Sequence, residues 1–328
     1  MKVVIPGGGG HLGRLVARDL LASGHEVVVL SRRAGEPAIG RVVQWDGRSL
    51  GPWAEELEGA ELVLNLAGRS VNCRYTATNL KAIMDSRVES TRAVGRAISQ
   101  AANPPRVWMQ MSTATIYAHR FDAPNDEATG LIGGSEPDVP SYWEYSIRIA
   151  RNWEAEQNQA ATPSTRKVAL RTSLVMSAEP GGALDVLLML TDFGLGGPAA
   201  GGRQYVSWIH ERDFLQAIRF LLDRPELSGA VNVCAPNPVP QRDFMAALRQ
   251  ARGVRVGLPA TRWMLKAGAW ALRTDTELIL KSRRVVPRRL LDAGFTFAFP
   301  TWPAAAKDLV SRSRKRVERA MSRDPQQA

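Results

Sequence analysis

Met1-Lys2-Val3-Val4-Ile5-Pro6, then Gly7-Gly8-Gly9-Gly10-His11-Leu12-Gly13, then Arg14-Leu15-Val16, is the stretch on which the fold turns. The first six residues read as a short apolar strand, the glycines as a turn, and the apolar spacing after them as the opening of a helix. That order builds a phosphate cradle. Backbone N–H groups at the helix start point at an anion, and the helix dipole adds to their attraction. Gly7, Gly10 and Gly13 stand three apart. In such a turn the first permits the tight bend, the second lets the backbone approach a pyrophosphate, and the third lets helix and sheet pack closely. Four consecutive glycines would also suit a flexible loop. The flanking strand and helix supply the context for a dinucleotide site, with His11 and Leu12 inside it.

Val27-Val28-Val29-Leu30 is the second strand and closes a first βαβ unit. A carboxylate at its end would bind the ribose hydroxyls of NAD, whereas the 2′-phosphate of NADP needs cations. The chain offers Ser31-Arg32-Arg33 and no carboxylate before Glu36. Guanidinium groups grip phosphate through paired hydrogen bonds, and a serine hydroxyl can add another. NADP(H) is therefore expected over NAD(H), although two arginines in a surface loop would look the same. Val42 to Trp45 reads as a third strand with Asp46 at its end. Glu61 to Leu66 reads as a fourth, where Leu66, Ala67 and Gly68 would let the backbone pass close to the cofactor.

A helix is expected from about Thr78 to Ala102, with Ile83, Val88, Val94 and Ile98 inward. Arg106 to Met111 is the fifth strand, and Ser112 and Thr113 sit at its carboxyl end, the edge where open α/β sheets bind ligands. Residues 119–141, rich in Gly, Pro, Asp and Glu, read as a long loop. A helix then runs from Tyr142 to Gln159, with Ser141 and Glu144 spaced as a capping box. Val168 to Arg171 is a further strand. Gly181-Gly182, an apolar helix and a second glycine-rich stretch follow it, with no internal repeat.

At 328 residues the chain can bury a large core as one α/β domain with a second lobe. A hydrophobic content of 45% and a charged content of 23% are ordinary for a globular enzyme. No apolar run is long enough to span a bilayer, so no membrane partner is expected. No signal peptide is expected before a strand that starts at Lys2. Cys73 and Cys234 are too few for a disulfide framework or a metal site and read as small buried hydrophobes, which suits a cytoplasmic location. The net charge of +11 invites a nucleic-acid reading. Its excess lies in Lys281 to Arg289 and from Lys307 to Arg323, without a helix-turn-helix, zinc or aromatic stacking motif beside either cluster. A solvated basic tail is the expectation, and anionic small ligands are the expected partners. The oligomeric state, monomer or homodimer, is not legible.

Several further stretches carry a family likeness. They are Asp85-Ser86-Arg87-Val88-Glu89-Ser90-Thr91, Ser112-Thr113-Ala114-Thr115-Ile116-Tyr117, Asn152-Trp153-Glu154, Trp208-Ile209-His210-Glu211-Arg212-Asp213, Val231 to Pro238 and Val286 to Phe295. With the glycine turn, Val29 to Arg33 and Asn65 to Gly68, the chain resembles the extended short-chain dehydrogenase/reductases. More narrowly it resembles the atypical NAD-dependent epimerase/dehydratase group, the "epimerase family" proteins with a C-terminal domain of unknown function. The likeness spans residues 1–310. It implies an α/β fold, a Rossmann doubly wound parallel sheet of seven strands with a smaller C-terminal substrate lobe. The Rossmann domain would span 1–235, with 167–205 partly contributing to the lobe. The lobe would span 236–310 and the basic tail 311–328. Pro6 and His11 depart from the family pattern without blocking the turn.

Such reductases generally use a Ser or Thr, a Tyr, and a Lys four residues after that Tyr. An unperturbed tyrosine titrates near pH 10, and lowering that by three units takes roughly 4 kcal/mol from a nearby cation. The resemblance places Thr113 at the Ser/Thr position, Tyr117 at the family aromatic and Tyr145 at the catalytic tyrosine. Four residues after Tyr145 stands Ile149, so the Tyr-x-x-x-Lys pair is absent. Arg87 or Arg148 would then supply the positive charge, with Tyr145 or Tyr117 as proton donor; the equal alternative is Tyr145 packed at the helix start with Arg148 in solvent. His210, Glu211 and Asp213 read as a strand-to-helix turn rather than a metal site. Trp263, Trp270 and Trp302 read as core anchors. The expected function is an NADP(H)-binding oxidoreductase or epimerase-like enzyme acting on a small carbonyl or hydroxyl substrate. The alternatives are a non-catalytic dinucleotide-binding regulatory or scaffold protein, and a nucleic-acid binder acting through the basic tail.

Overall fold

Apolar runs without alternation are the mark of strands covered on both faces. In the computed structural model, which describes residues 1–33, 39–137, 139–271 and 275–323, such runs form the centre of the molecule. They are β1 (Lys2–Pro6), β2 (Glu26–Ser31), β4 (Leu62–Asn65) and β5 (Val107–Thr113), with β3 (Arg41–Gln44) as a half-exposed edge. Together with β6 (Arg166–Thr172) and β10 (Gly229–Val233) they make one seven-stranded sheet. Its order is β10-β6-β5-β4-β1-β2-β3, and every pairing is parallel. The order reverses between β1 and β4, and ligands bind at such switch points.

Helices cover both faces. Leu15, Val16 and Leu20 of α1 (His11–Ala22) and Phe214, Ile218 and Leu221 of α5 (Glu211–Leu222) pack on one face with Val3, Ile5 and Leu64. Val94, Ala97 and Ile98 of α2 (Ala77–Gln100) pack on the other with Val4, Val63 and Trp108. Val88 is only half-buried. The doubly wound sheet is as expected, with small differences in detail. α1 begins at His11 rather than Arg14, and β5 runs on to Thr113. The capping box does not form at α3 (Trp143–Gln159). The chain enters it through a turn in which the amides of Trp143 and Glu144 donate to the carbonyls of Pro140 and Ser141.

The second lobe is assembled from several separate stretches of the chain. β7 (Leu174–Met176) pairs with β9 (Trp208–His210), and β8 (Tyr205–Val206) with β11 (Val239–Pro240). α4 (Ala183–Asp192), α6 (Gln241–Arg252) and α10 (Trp302–Arg323) enclose a core of Met176, Leu188, Trp208, Phe244 and Trp302. Trp302 is an anchor, stacked on Phe244 at 4.0 Å. Trp263 and Trp270 are not: they are 71% and 70% exposed on α7 (Arg262–Ala271), where a spacing of seven puts both on its outer face. α8 (Glu277–Leu280) and α9 (Arg288–Asp292) complete the lobe.

The two basic clusters are partly paired with carboxylates. α10 is continuous through residue 310, and two of its cations have carboxylate partners: Arg312 pairs with Glu211 and Asp308, and Arg316 with Asp185, while Lys307, Arg314 and Lys315 are exposed. In the other cluster Lys281 is 2% exposed, whereas Arg288 is exposed. Glu36 and residues 324–328 lie outside the described residues. Cys234 is buried and Cys73 half-buried, both as thiols. Among the described residues no helix is long and apolar enough to cross a membrane.

Candidate functional site

Gly7 adopts a φ of +77°, which glycine tolerates, and a Cβ on it would stand 2.6 Å from Cα of Ala67. A Cβ on Gly13 would enter the backbone of Gly8, so α1 can leave the turn only because both residues are bare. Gly10 differs. Its φ of −72° suits any residue, and a Cβ there would meet only the Gly7 carbonyl, at 3.5 Å. The space before Gly10 is open, and no side chain caps α1. First-turn amides have no acceptor within their own helix, and the dipole favours an anion beside them. Bare backbone, uncapped amides and room together fit a pyrophosphate. Arg14 braces the turn through a 2.9 Å bond to the Gly9 carbonyl. His11 is turned toward the second lobe, its Nδ1 3.1 Å from the Pro180 carbonyl.

At the end of β2, the Ser31 hydroxyl accepts the Arg33 amide at 3.3 Å, and Arg32 and Arg33 are exposed. These groups are of the kind a ribose phosphate needs. Asp46 is engaged otherwise: one carboxylate oxygen accepts the amides of Arg48 and Ser49, both at 2.8 Å. The Ser49 amide, with that of Arg48 behind it, holds the Asp46 pKa below its usual value. Past β4, the Leu66 amide donates to Pro6, Asn65 Oδ1 accepts the Ala67 amide, and a Cβ on Gly68 would press on Arg87. Leu66 to Gly68 thus bind the glycine turn to α2.

A cavity of about 230 Å³ opens beyond this cradle. Its walls come from Leu12 of α1, Tyr75 after β4, Ile83 and Arg87 of α2, and Ser112 and Thr113 at the end of β5. α3 adds Ser146, Ile149 and Trp153, and the second lobe adds Glu277 and Arg283. Thr113 Oγ1 accepts the Thr115 amide at 3.1 Å, a bond that does not use its own hydroxyl proton. Arg87 lies 4.8 Å over the Trp153 ring, and its Nη1 donates to the carbonyls of Arg69 and Ile83. Burial lowers its pKa to about 10, which still leaves it charged at neutral pH.

Of the expected catalytic residues, the structure brings Thr113 and Arg87 together and leaves three away from the cavity wall. Tyr117 is buried, its hydroxyl donating to Asn232 Oδ1 at 2.9 Å and accepting from Arg171 at 3.0 Å. Burial raises its pKa, with Arg171 opposing. Tyr145 and Arg148 pair with each other, guanidinium over ring at 4.4 Å. The register of α3 explains this. Ser146, Ile149 and Trp153 at spacings of three and four form the inward face, and Tyr145 is one residue off it.

Sequence reasoning missed Tyr75, Ser146, Glu277, Lys281 and Arg283. Ser146 Oγ donates to Glu277 Oε2 at 2.6 Å, and Lys281 Nζ lies 3.8 Å from Oε1. Lys281 also donates to the Thr115 carbonyl and Arg283 Nε to Thr115 Oγ1. Burial pushes the Glu277 carboxyl up, with Lys281 and Arg283 opposing, and pulls the Lys281 ammonium down to about 8, with Glu277 opposing. In both residues desolvation outweighs their mutual attraction. The available signal was a Glu four residues before a Lys next to Ser-Arg, which reads as a surface helix pair. His210, Glu211 and Asp213 hold no metal cluster among the described residues. His210 caps α5, and Asp213 accepts the amides of Ala298 and Phe299.

Comparison with known proteins bears on this site. The NAD dependent epimerase/dehydratase family model matches residues 3–234, and that of a domain of unknown function (DUF1731) matches residues 260–309. Epimerase family protein YfhF of Bacillus subtilis is 31% identical over 313 residues, covering 95% of this chain and 98% of that protein. Human epimerase family protein SDR39U1 is 30% identical over 314 residues, covering 95% and 100%. The crystal structure of human SDR39U1 (isoform 2) with NADPH superposes with a TM-score of 0.81 at 28% identity, over 95% of this chain and 99% of that one.

Proposed function

The chain belongs to the NAD dependent epimerase/dehydratase family, and from that premise we propose that it is an NADP(H)-dependent oxidoreductase or epimerase-like enzyme acting on a small carbonyl or hydroxyl compound. One observation carries the reading. Leu12, in the first turn of α1 beside the open face of Gly10, also lines the 230 Å³ cavity, so the anion cradle and the chamber share a wall. A dinucleotide anchored by its pyrophosphate at Gly10 to Gly13 would have its adenosine end at Ser31, Arg32 and Arg33 and its nicotinamide end at the chamber. The human relative crystallised with NADPH supports the phosphorylated coenzyme. When bound, a nicotinamide supplies or removes hydride at a carbon atom.

The chain's own residues do the rest. Leu12, Ile83, Met111 and Ile149 exclude water from the reacting carbon, and Thr113 offers a hydroxyl to the substrate oxygen. Arg87 keeps a positive charge on the chamber wall that stabilises negative charge developing on that oxygen. Arginine cannot itself deliver the proton.

A second reading, a dinucleotide-binding protein without turnover, is favoured by Ile149, an apolar side chain on the cavity wall of α3. Titration with NADPH and NADH, followed by a panel of aldehydes and ketones with NADPH absorbance monitored, separates the two. Tight NADPH binding with consumption of coenzyme supports the enzyme. Tight binding without consumption on any carbonyl supports the second reading, and binding of neither coenzyme refutes both.

A further inference from the structure

The cavity described above has walls that bind and orient, but α3 brings no tyrosine or lysine to it. We propose that Glu277, delivered by the C-terminal lobe, is the proton donor and acceptor of this cavity, in place of the tyrosine–lysine pair that α3 lacks. The proposal rests on reading the cavity as the chamber of a nicotinamide enzyme.

Glu277 is 1% exposed, yet it lines the cavity. Ser146 holds its Oε2 at 2.6 Å, whereas Oε1 is buried and accepts no hydrogen bond from the described residues. A buried acceptor without a hydrogen bond is costly even with Lys281 Nζ 3.8 Å away, and protonating it converts it into a donor. Other groups on the wall are poorer proton carriers. Burial pushes the Tyr75 phenol up and the Glu277 charge adds to that, away from neutrality. The Arg87 and Arg283 guanidinium groups stay protonated. The Glu277 carboxyl moves toward neutrality, which suits a group that must serve as acid in one direction and base in the other.

In the reductive direction the carbonyl carbon gains the hydride of the reduced nicotinamide, and the carbonyl oxygen takes the proton of Glu277. The C=O π bond is replaced by one C–H and one O–H bond. Glu277 is left as a carboxylate beside Lys281 and takes its next proton from solvent. Alcohol oxidation runs the same transfers backward. The charged and titratable groups facing this carboxyl are Lys281 and Arg283 on its own segment, Asp275 just before it and Tyr75 from the loop after β4, with Ser146 from α3. Glu136 faces Lys281 in turn, and Lys281 lowers the pKa of His119.

Glu277→Gln keeps the shape of the side chain and its bond from Ser146 but has no proton to release. The full chain is measured for NADPH affinity by fluorescence, for turnover of the carbonyl panel from acid to alkaline pH, and for carboxylic acid absorption in the infrared. The expected results are NADPH affinity within about twofold of wild type and turnover lowered about 10²- to 10⁴-fold. A carboxylic acid band that persists where ordinary glutamates are ionised should vanish in the variant. Ser146→Ala removes a bond that favours the carboxylate, so the pH at which reduction fades should rise, a shift that a purely structural role would not produce. Turnover retained by Glu277→Gln, or identical infrared spectra of the two proteins, overturns the proposal. Failure of the wild type to bind NADPH overturns the proposed function instead, and is seen before any variant is made.

Discussion

Arg171, near the end of β6, forks onto Glu154 of α3 through bonds of 2.9 and 2.8 Å, both side chains almost fully buried. Ser112 adds a 2.6 Å bond to the same carboxylate. Burial alone would lower the Arg171 pKa, and the hydrogen bonds and charge of Glu154 more than reverse it. Removing one charge from a buried pair strands the other. Glu154→Gln should therefore lower the unfolding free energy by about 3–5 kcal/mol in a urea titration, a loss that equals the cost of an uncompensated guanidinium.

The remaining guanidinium nitrogen of that pair reaches the Tyr117 hydroxyl, which ties the tyrosine into the buried network. Tyr117→Phe should lose about 1–3 kcal/mol of stability, because Arg171 and Asn232 both lose a buried partner. The pH profile of turnover should keep its shape. Tyr145→Phe, off the cavity face of α3, should leave both stability and the pH profile unchanged, and a flattened alkaline limb in either variant would return that tyrosine to the chemistry.

How much of this was readable beforehand depended on whether a residue acts through its neighbours in sequence. Gly7 to Gly13 declare a cradle because the strand, turn and helix that give them meaning are contiguous. β1, β2, β4 and β5 declare themselves through apolar runs long enough to need cover on both faces. Tyr145 and Ser146 differ by one position, a rotation of 100° on a helix, and only packing decides which one faces the cavity. Glu277 and Lys281 look like an exposed helical pair until the second lobe folds them against Thr115 and Ser146. Trp263 and Trp270 show the converse: aromatic composition suggested a core, and the helix that carries them turns them outward.

Gly10 and Gly13 make opposite demands, and alanine separates them. At Gly10 the backbone is already in a common conformation and the added methyl points into open space, so Gly10→Ala should fold normally and bind NADPH at least about tenfold more weakly. At Gly13 the methyl collides with the Gly8 backbone, and overpacking of that kind costs about 1–3 kcal/mol. Gly13→Ala should thus lower the melting temperature as well. Thermal melts and NADPH titrations of the two variants check the contrast.

Coenzyme choice should reside in Ser31, Arg32 and Arg33. A hydrogen bond to a charged group is worth about 1.5–3 kcal/mol, so replacing Arg32 and Arg33 by alanine should weaken NADPH about 10- to 100-fold. NADH, which lacks the phosphate, should change by less than about twofold. Calorimetry at two salt concentrations adds a second readout, since the NADPH affinity of the wild type should fall more steeply with salt than that of the variant. Tighter binding of NADH than NADPH by the wild type would reverse the assignment.

Acid should loosen the junction between the two lobes through His210. This side chain is fully buried, its Nδ1 accepting the Arg212 amide, its Nε2 3.1 Å from Asp308 and its ring stacked on Phe299 at 3.9 Å. Burial lowers its pKa to about 4, with Asp308 pulling the other way and Arg312 and Arg212 adding to the depression. An unfolded histidine titrates near 6.5. Between those two values the unfolded chain binds more protons than the folded one, so stability falls as the pH drops through that window. Above it both states are neutral and the residue contributes no slope; below it both are charged and the loss is complete, about 3 kcal/mol in all. His210→Asn keeps a side chain able to cap α5 and cannot titrate. Urea unfolding of wild type at pH 7 and at pH 4 should differ by about that amount more than it does for the variant. Equal acid sensitivity of the two proteins would show that His210 is already free to take up a proton in the folded state.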